Sequence, residues 1–254
     1  MHDGGSGPPP VLLLHGSGPG TTSAAWGPLI AALEPQHRVI APDLLGFGES
    51  AAPPADASLR AAWTGQVLDL LDSLGLESCA VVGNSAGGAI ALSLASARPD
   101  LVTGVVAVGS MGHPMALPPG LDALWGYEPS RDAAKALIEL LNYDPAAATP
   151  EAIEARLAAT LAQRHYPSLF PAPRQRWVDD LSLSREELAA TSVPVLLVHG
   201  AEDRIVPLAD GALALLQLLP DVRAHVFGGC GHASPLERTG EFNRLLTTFL
   251  ETDR

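Results

Sequence analysis

The stretch Val81 to Ile90, VVGNSAGGAI, constrains this chain more than any other. Apolar β-branched residues run into Gly83-Asn84-Ser85-Ala86-Gly87 and leave through an Ala/Leu-rich segment of helical spacing. A strand that turns directly into a helix brings two backbones close together, and bare glycines flanking the turn are what that approach demands. The pattern G-x-S-x-G predicts such a turn, with the Ser85 hydroxyl lifted to the end of a sheet strand. A strand feeding a helix is also the unit from which parallel sheets are wound, so this motif favours an α/β chain.

The remaining sequence repeats the theme. Short apolar runs at Val11 to His15, Arg38 to Ala41, Ser78 to Gly83, Val102 to Val108, Val193 to His199 and Val222 to Phe227 predict about six strands. Helical patterns fall near Ala25 to Glu34, Leu59 to Leu74, Ala86 to Ala97, Pro207 to Leu219 and Glu241 to Leu250. With 254 residues, 47% of them hydrophobic, one domain with a sizeable core is the simplest expectation. The rhythm breaks between Met111 and Thr191, a Pro- and Ala-rich stretch that reads as several helices. Residues 1–110 and 192–254 are therefore expected to form the α/β core and 111–191 a helical cap inserted over its carboxyl edge.

Charge narrows the partners. Against 28 Asp and Glu stand 15 Lys and Arg, a formal net charge of -13, which repels nucleic acid and anionic membrane surfaces. A small anion in a pocket stays compatible, because a local arginine outweighs a distant field. Cys79 and Cys230 have no zinc-type spacing, so neither metal nor cofactor is expected. No leader pattern or membrane-length apolar run stands out, and the sequence reads as soluble and cytoplasmic.

A serine hydroxyl needs a base within reach and an acid to orient that base. HGAEDRIVP places Asp203 after one apolar strand, and VFGGCGHASP places His232 after the next. Ser85, Asp203 and His232, in that order after three strands, are the expected nucleophile, acid and base. The Ala86 N–H, at a helix start, and Ser17 or Gly18 in LLLHGSGPG are the candidate oxyanion donors. GSGPG lacks both a Walker Lys and dinucleotide spacing. Asp43 and His15 read as loop organisers, and Cys230 lacks an activating environment of its own.

These residues resemble the α/β-hydrolases that cleave carbon–carbon bonds in meta-cleavage products of aromatic degradation, especially 2-hydroxymuconic semialdehyde hydrolases. The resemblance runs through HGSGPG, RVIAPDLLGFGES, VVGNSAGGAIALSLA, LDALWGYEPS, FPAPRQRWVDDL and HGAEDRIVPL. It implies hydrolysis of a 2-hydroxy-6-oxohexa-2,4-dienoate to 2-hydroxypenta-2,4-dienoate and a small carboxylic acid, with Asn84, Trp125, Arg174, Arg176 and Trp177 facing the substrate. Its carboxylate would pair with Arg176 in preference to Arg174. It also implies that the hairpin usual at the start of the fold is largely missing, which would leave Arg38 to Ala41 on an open edge and favour a homo-oligomer.

Three positions depart from the family pattern: Ala86 and Ala233 replace bulkier residues, and TTSAAW lacks the usual Asn. The two alanines are expected to widen the pocket. A carboxylesterase with a widened pocket is accordingly the rival enzyme, and a catalytically silent ligand-binding protein is the rival from another class.

Overall fold

The computed structural model describes residues 1–252. Its sheet has seven strands, β1 (His2–Gly4), β2 (Val11–Leu14), β3 (Val39–Ala41), β4 (Cys79–Asn84), β5 (Val102–Val108), β6 (Val195–Gly200) and β7 (Val222–Phe227), in the order β1-β3-β2-β4-β5-β6-β7. All neighbours are parallel except β1, which runs antiparallel to β3.

The central strands are apolar along their whole length because helices cover both faces. In β2, Leu12 and Leu14 point into one core layer and Val11 and Leu13 into the other. The first layer packs on α2 (Leu59–Ser73) and α3 (Ala86–Ala97) through Trp63, Val67, Ile90 and Leu94. The second packs on α1 (Gly27–Leu33) and α11 (Thr239–Thr252) through Leu29, Leu33, Leu246 and Phe249.

Two expectations are corrected here. The sheet has seven strands rather than about six, and β3 is not an open edge. Asp3 pairs with Ile40 in the β1–β3 register, and the Arg38 Nε and Nη2 groups each donate to the Asp3 carboxylate at 2.9 Å. The edge therefore passes to a three-residue strand, too short to template much pairing. HDG carries no apolar alternation, so nothing in its pattern announces a strand.

Between β5 and β6 the chain forms α4 (Pro119–Trp125), α5 (Arg131–Leu141), α6 (Pro150–Ala162), α7 (Gln175–Asp180) and α8 (Arg185–Ala189). Side-chain caps start several of them: Ser130 begins α5, Thr149 with Pro150 begins α6, and Ser184 with Glu187 forms a capping box on α8. Leu121, Trp125, Val178 and Leu188 join the core layer of α2 and α3, while α5 and α6 share a small cluster of Ala134, Ile138 and Ile153.

Short helices α9 (Ala212–Leu215) and α10 (Ser234–Glu237) follow β6 and β7. From β3 the chain crosses to β4 on the other side of β2, so the strand order reverses between β2 and β4. Open α/β sheets bind ligands at the carboxyl ends of strands flanking such a reversal. Among the described residues, no helix is long and apolar enough to cross a membrane.

Candidate active site

Ser85 lies at that reversal, directly after β4. Its backbone is at φ 56° and ψ -119°, a region that costs a non-glycine residue roughly 1–3 kcal/mol and persists only where the surroundings enforce it. They do so on both sides. A Cβ at Gly83 would come within 2.2 Å of the Gly87 carbonyl oxygen, and one at Gly87 within 2.3 Å of the Leu14 carbonyl oxygen. The Ser85 N–H donates to Val108 O at 2.8 Å, and Asn84 Nδ2 donates to the same oxygen at 3.0 Å. Asn84 thus braces the turn against β5.

The loops after β6 and β7 carry Asp203 and His232. They meet so closely that a Cβ at Gly200 would lie 2.1 Å from the Gly231 carbonyl oxygen. Asp203 Oδ1 accepts from the N–H groups of Ile205 and Val206 at 2.8 and 3.0 Å, and Oδ2 accepts from His232 Nδ1 at 2.7 Å. Burial works to raise the Asp203 carboxyl. The His232 charge and hydrogen bonds from His199 and His232 overcome it and hold the group well below the ordinary carboxylate range. With its proton on Nδ1, the His232 ring keeps Nε2 as an acceptor. The peptide N–H groups of His232 and Ala233 are tied to Leu141 O, at the end of α5.

Ser85 and His232 line one cavity of about 100 Å³. Ser17, Gly18 and Asn84 line it too, and its apolar wall includes Trp26, Leu124, Leu141, Ala233 and Leu236. Ala86 is fully buried at the first turn of α3 and is not on that wall, so of the two small residues only Ala233 enlarges the cavity. The Ala86 N–H belongs to the first helical turn, where N–H groups have no partner within the helix.

The cap-borne residues divide. Trp125 stacks on Phe170 with centroids 4.7 Å apart and donates from Nε1 to Ser17 Oγ at 2.9 Å, which places it one layer behind the cavity. Arg174 donates to Asp122 Oδ1 and Phe170 O, both at 3.0 Å, beside a separate cavity of about 240 Å³. Arg176 lies 4.2 Å from the ring centroid of Trp177, and both border another, open depression. None of Arg174, Arg176 and Trp177 lines the Ser85 cavity: Asp122 and Phe170 O hold Arg174, and α7, which carries Arg176 and Trp177, packs against α2.

The cation that does reach it is Arg156 of α6, which sequence reasoning missed. Burial pulls its guanidinium below the ordinary arginine value, and no carboxylate pairs with it among the described residues. Arg156 Nη1 donates to Pro19 O at 3.0 Å. Nearby, Gln163 accepts from Gly20 N at 2.7 Å and donates to Thr21 O at 2.8 Å. Trp125, Arg156 and Gln163 therefore hold the loop 17–21 from the cap side.

The remaining candidates have structural surroundings. His15 Nδ1 donates to Gly16 O at 2.8 Å and Nε2 accepts from Leu44 N at 3.0 Å, which uses both ring nitrogens on the main chain. Asp43 accepts from Ser23 N at 2.7 Å. Burial, with Glu237 nearby, pushes the Cys230 thiol up to about 12. Among the described residues, no group of three or more His, Cys, Asp or Glu could hold a metal.

Comparison with known proteins places the fold and the family. A family model described as alpha/beta hydrolase fold matches residues 9–239. A 2-hydroxymuconate semialdehyde hydrolase of Pseudomonas sp. strain CF600 is 40% identical, covering 98% of this chain and 89% of its own. A 2-hydroxy-6-oxo-2,4-heptadienoate hydrolase of Pseudomonas putida F1 is 39% identical over 100% of this chain and 92% of its own. Among solved structures, a meta-cleavage product hydrolase of Pseudomonas fluorescens IP01 superposes with a TM-score of 0.95 at 37% identity, covering 100% and 94% of the two chains. An esterase of Rhodococcus sp. shares the fold at TM-score 0.80 and 25% identity, covering 100% and 94%.

Proposed function

The chain belongs to the α/β-hydrolase fold family and, within it, to the meta-cleavage product hydrolases, and from that premise we propose that it hydrolyses the C5–C6 bond of a 2-hydroxy-6-oxohexa-2,4-dienoate. The products are 2-hydroxypenta-2,4-dienoate and a carboxylic acid. One observation carries the reading: Ser85, His232 and Arg156, which has no carboxylate partner among the described residues, border the same cavity at the sheet's reversal point.

In this reading the bound dienol first ketonises, which gives the breaking bond an electron sink. Ser85 Oγ attacks the C6 carbonyl, or activates water for that attack, and His232 Nε2 takes the proton released. The Ala86 N–H, Ser17 and Gly18 face the oxyanion; Ser17 accepts from Trp125 and so keeps its own proton to donate. As C5–C6 breaks, its electron pair runs through C4 and C3 to the C2 oxygen, C5 becomes the terminal CH2 of the dienolate, and the proton held by His232 goes to that oxygen, with Asp203 stabilising the imidazolium until then. Water supplies the oxygen of the acid product.

Arg156 takes the carboxylate in place of Arg174 and Arg176. Arg174 is already neutralised by Asp122, and Arg176 stacks on Trp177 outside the cavity. Residues 111–191 act as the cap. The setting is cytoplasmic, and no cofactor takes part. Self-association into a homo-oligomer uses a surface other than β3, which β1 occupies.

A carboxylesterase remains the second reading, because Ala233 leaves room on the cavity wall beside His232. The test is ultraviolet-monitored turnover of 2-hydroxymuconic semialdehyde and its 6-methyl analogue by wild type and Ser85→Ala. Loss of the dienolate chromophore by wild type alone is the expected result. Turnover of p-nitrophenyl acetate without turnover of either dienoate would overturn it in favour of the esterase.

A further inference from the structure

A second imidazole touches Asp203. His199, in β6, is fully buried, with Nε2 2.8 Å from Val206 O and 3.3 Å from Asp203 Oδ2. Carbonyl and carboxylate oxygens only accept, so Nε2 carries the proton and shares it between them. Nδ1 is buried without a partner among the described residues. A proton there would face no acceptor, which leaves the neutral Nε2–H tautomer as the form this pocket accommodates. Gly211 makes the room, since a Cβ at that position would stand 2.5 Å from His199 Cε1.

The Asp203 carboxylate is thereby held at both oxygens. Oδ1 is fixed by the main chain of its own turn through Ile205 and Val206, and Oδ2 is shared by His232 and His199. By also donating to Val206 O, His199 ties that turn back to the strand it leaves. We propose that His199 is a positioning residue that acts through Asp203, holding Oδ2 on line with His232 Nδ1 and weakening the carboxylate's pull on the His232 proton.

The proposal rests on the triad reading but not on the identity of the substrate. Its sign follows from charge: a donor on a carboxylate disperses negative charge, so the imidazolium beside it is less stabilised. His199 thus lowers the basicity of His232, and its removal raises it. Nearby, the Cys230 thiol is pushed up to about 12, and the carboxylate of Glu202 is engaged by Cys230 N at 2.9 Å. Arg204 is turned away, with Nη2 donating to Asn142 O at 2.7 Å.

Nitrogen-15 histidine NMR of the wild-type protein tests the tautomer without any variant. The neutral His199 ring is expected to be the Nε2–H tautomer. A neutral ring found as the Nδ1–H tautomer would overturn the proposal.

Kinetics test the function. His199→Phe is expected to lower kcat by about tenfold with KM little changed, the size expected for one hydrogen bond to a charged group. It should also move the acid limb of the kcat/KM profile to higher pH. His199→Gln, which can present an amide N–H near the same place, should restore the limb, and Gly211→Ala, which crowds the ring, should move it in the direction of the Phe variant. An unmoved limb in a folded His199→Phe protein, or in Gly211→Ala if the former does not fold, would reduce His199 to a packing role. Because the tautomer is read without turnover, failure of the C–C hydrolase reading and failure of this one are separable.

Discussion

Ser85, Asp203 and His232 stand on loops that leave β4, β6 and β7, whereas Trp125, Arg156 and Gln163 approach the same region from α4, from α6 and from the residue that follows α6. The first group is placed by backbone: an enforced positive φ, glycines too close to neighbouring carbonyls to carry a Cβ, and a carboxylate held by its own turn. The second is placed by side chains, each making hydrogen bonds to one loop, 17–21. Backbone placement is rigid and shared by any chain of this fold. Side-chain placement changes with single substitutions, so the cap is where one hydrolase can come to differ from another.

The sharpest way to break this division is to remove a residue from each side. Ser85→Ala should lower kcat on the dienoate by at least about 10³-fold while leaving the fold intact, as loss of a triad member does elsewhere. Arg156→Gln should instead act on recognition. It should raise KM for the carboxylated substrate by roughly ten- to a hundredfold, the worth of a hydrogen bond to a charged group, and change p-nitrophenyl acetate hydrolysis little. Arg174→Gln and Arg176→Gln should each shift that KM by less than about twofold, because both guanidiniums lie outside the cavity. An effect of Arg176→Gln equal to that of Arg156→Gln would reverse the assignment.

Gln163→Ala sits on the boundary. It leaves Gly20 N and Thr21 O without the partner that satisfied both, and it should cost about tenfold in kcat/KM on dienoate and ester alike. A loss confined to the dienoate would mean that Gln163 serves recognition only.

The smallest expected effect is on acid stability. The folded Asp203 carboxyl lies below its ordinary value, so its ionisation contributes stability that is fully present above the unfolded value of about 4 and is lost as pH falls through the folded one. Wild type should therefore lose more Tm than Asp203→Asn between pH 6 and pH 3, since pH 6 lies about two units above the unfolded value and pH 3 about one unit below it, where the loss has begun. Parallel Tm curves would contradict this.

The two sides also differed in how far sequence revealed them. The elbow was legible because G-x-S-x-G answers to a steric demand within five residues, and Asp203 and His232 because each follows an apolar strand. Arg156 was not, since an arginine in the Ala-rich PEAIEARLAATLA reads as a solvated helical position, and only the packing of α6 turns it inward. Arg176, beside an aromatic in a motif of the family, drew the assignment instead and proved to stack on that aromatic. β1 escaped because three residues of His, Asp and Gly carry no period. His199 belongs to the same class, since no spacing distinguishes an imidazole facing Asp203 from one satisfied in the core.

The glycines of the elbow bear on how this chain can vary. At 83 and 87 an added methyl meets main-chain oxygen rather than a side chain that could swing aside. In a library randomised across 83 to 88, those two columns should collapse to glycine among clones selected only for soluble expression, before any substrate is offered. Position 86, fully buried but already holding a methyl, should keep a range of apolar residues there and narrow further only under selection for turnover. Foldability and catalysis would then be recorded in different columns of one six-residue window.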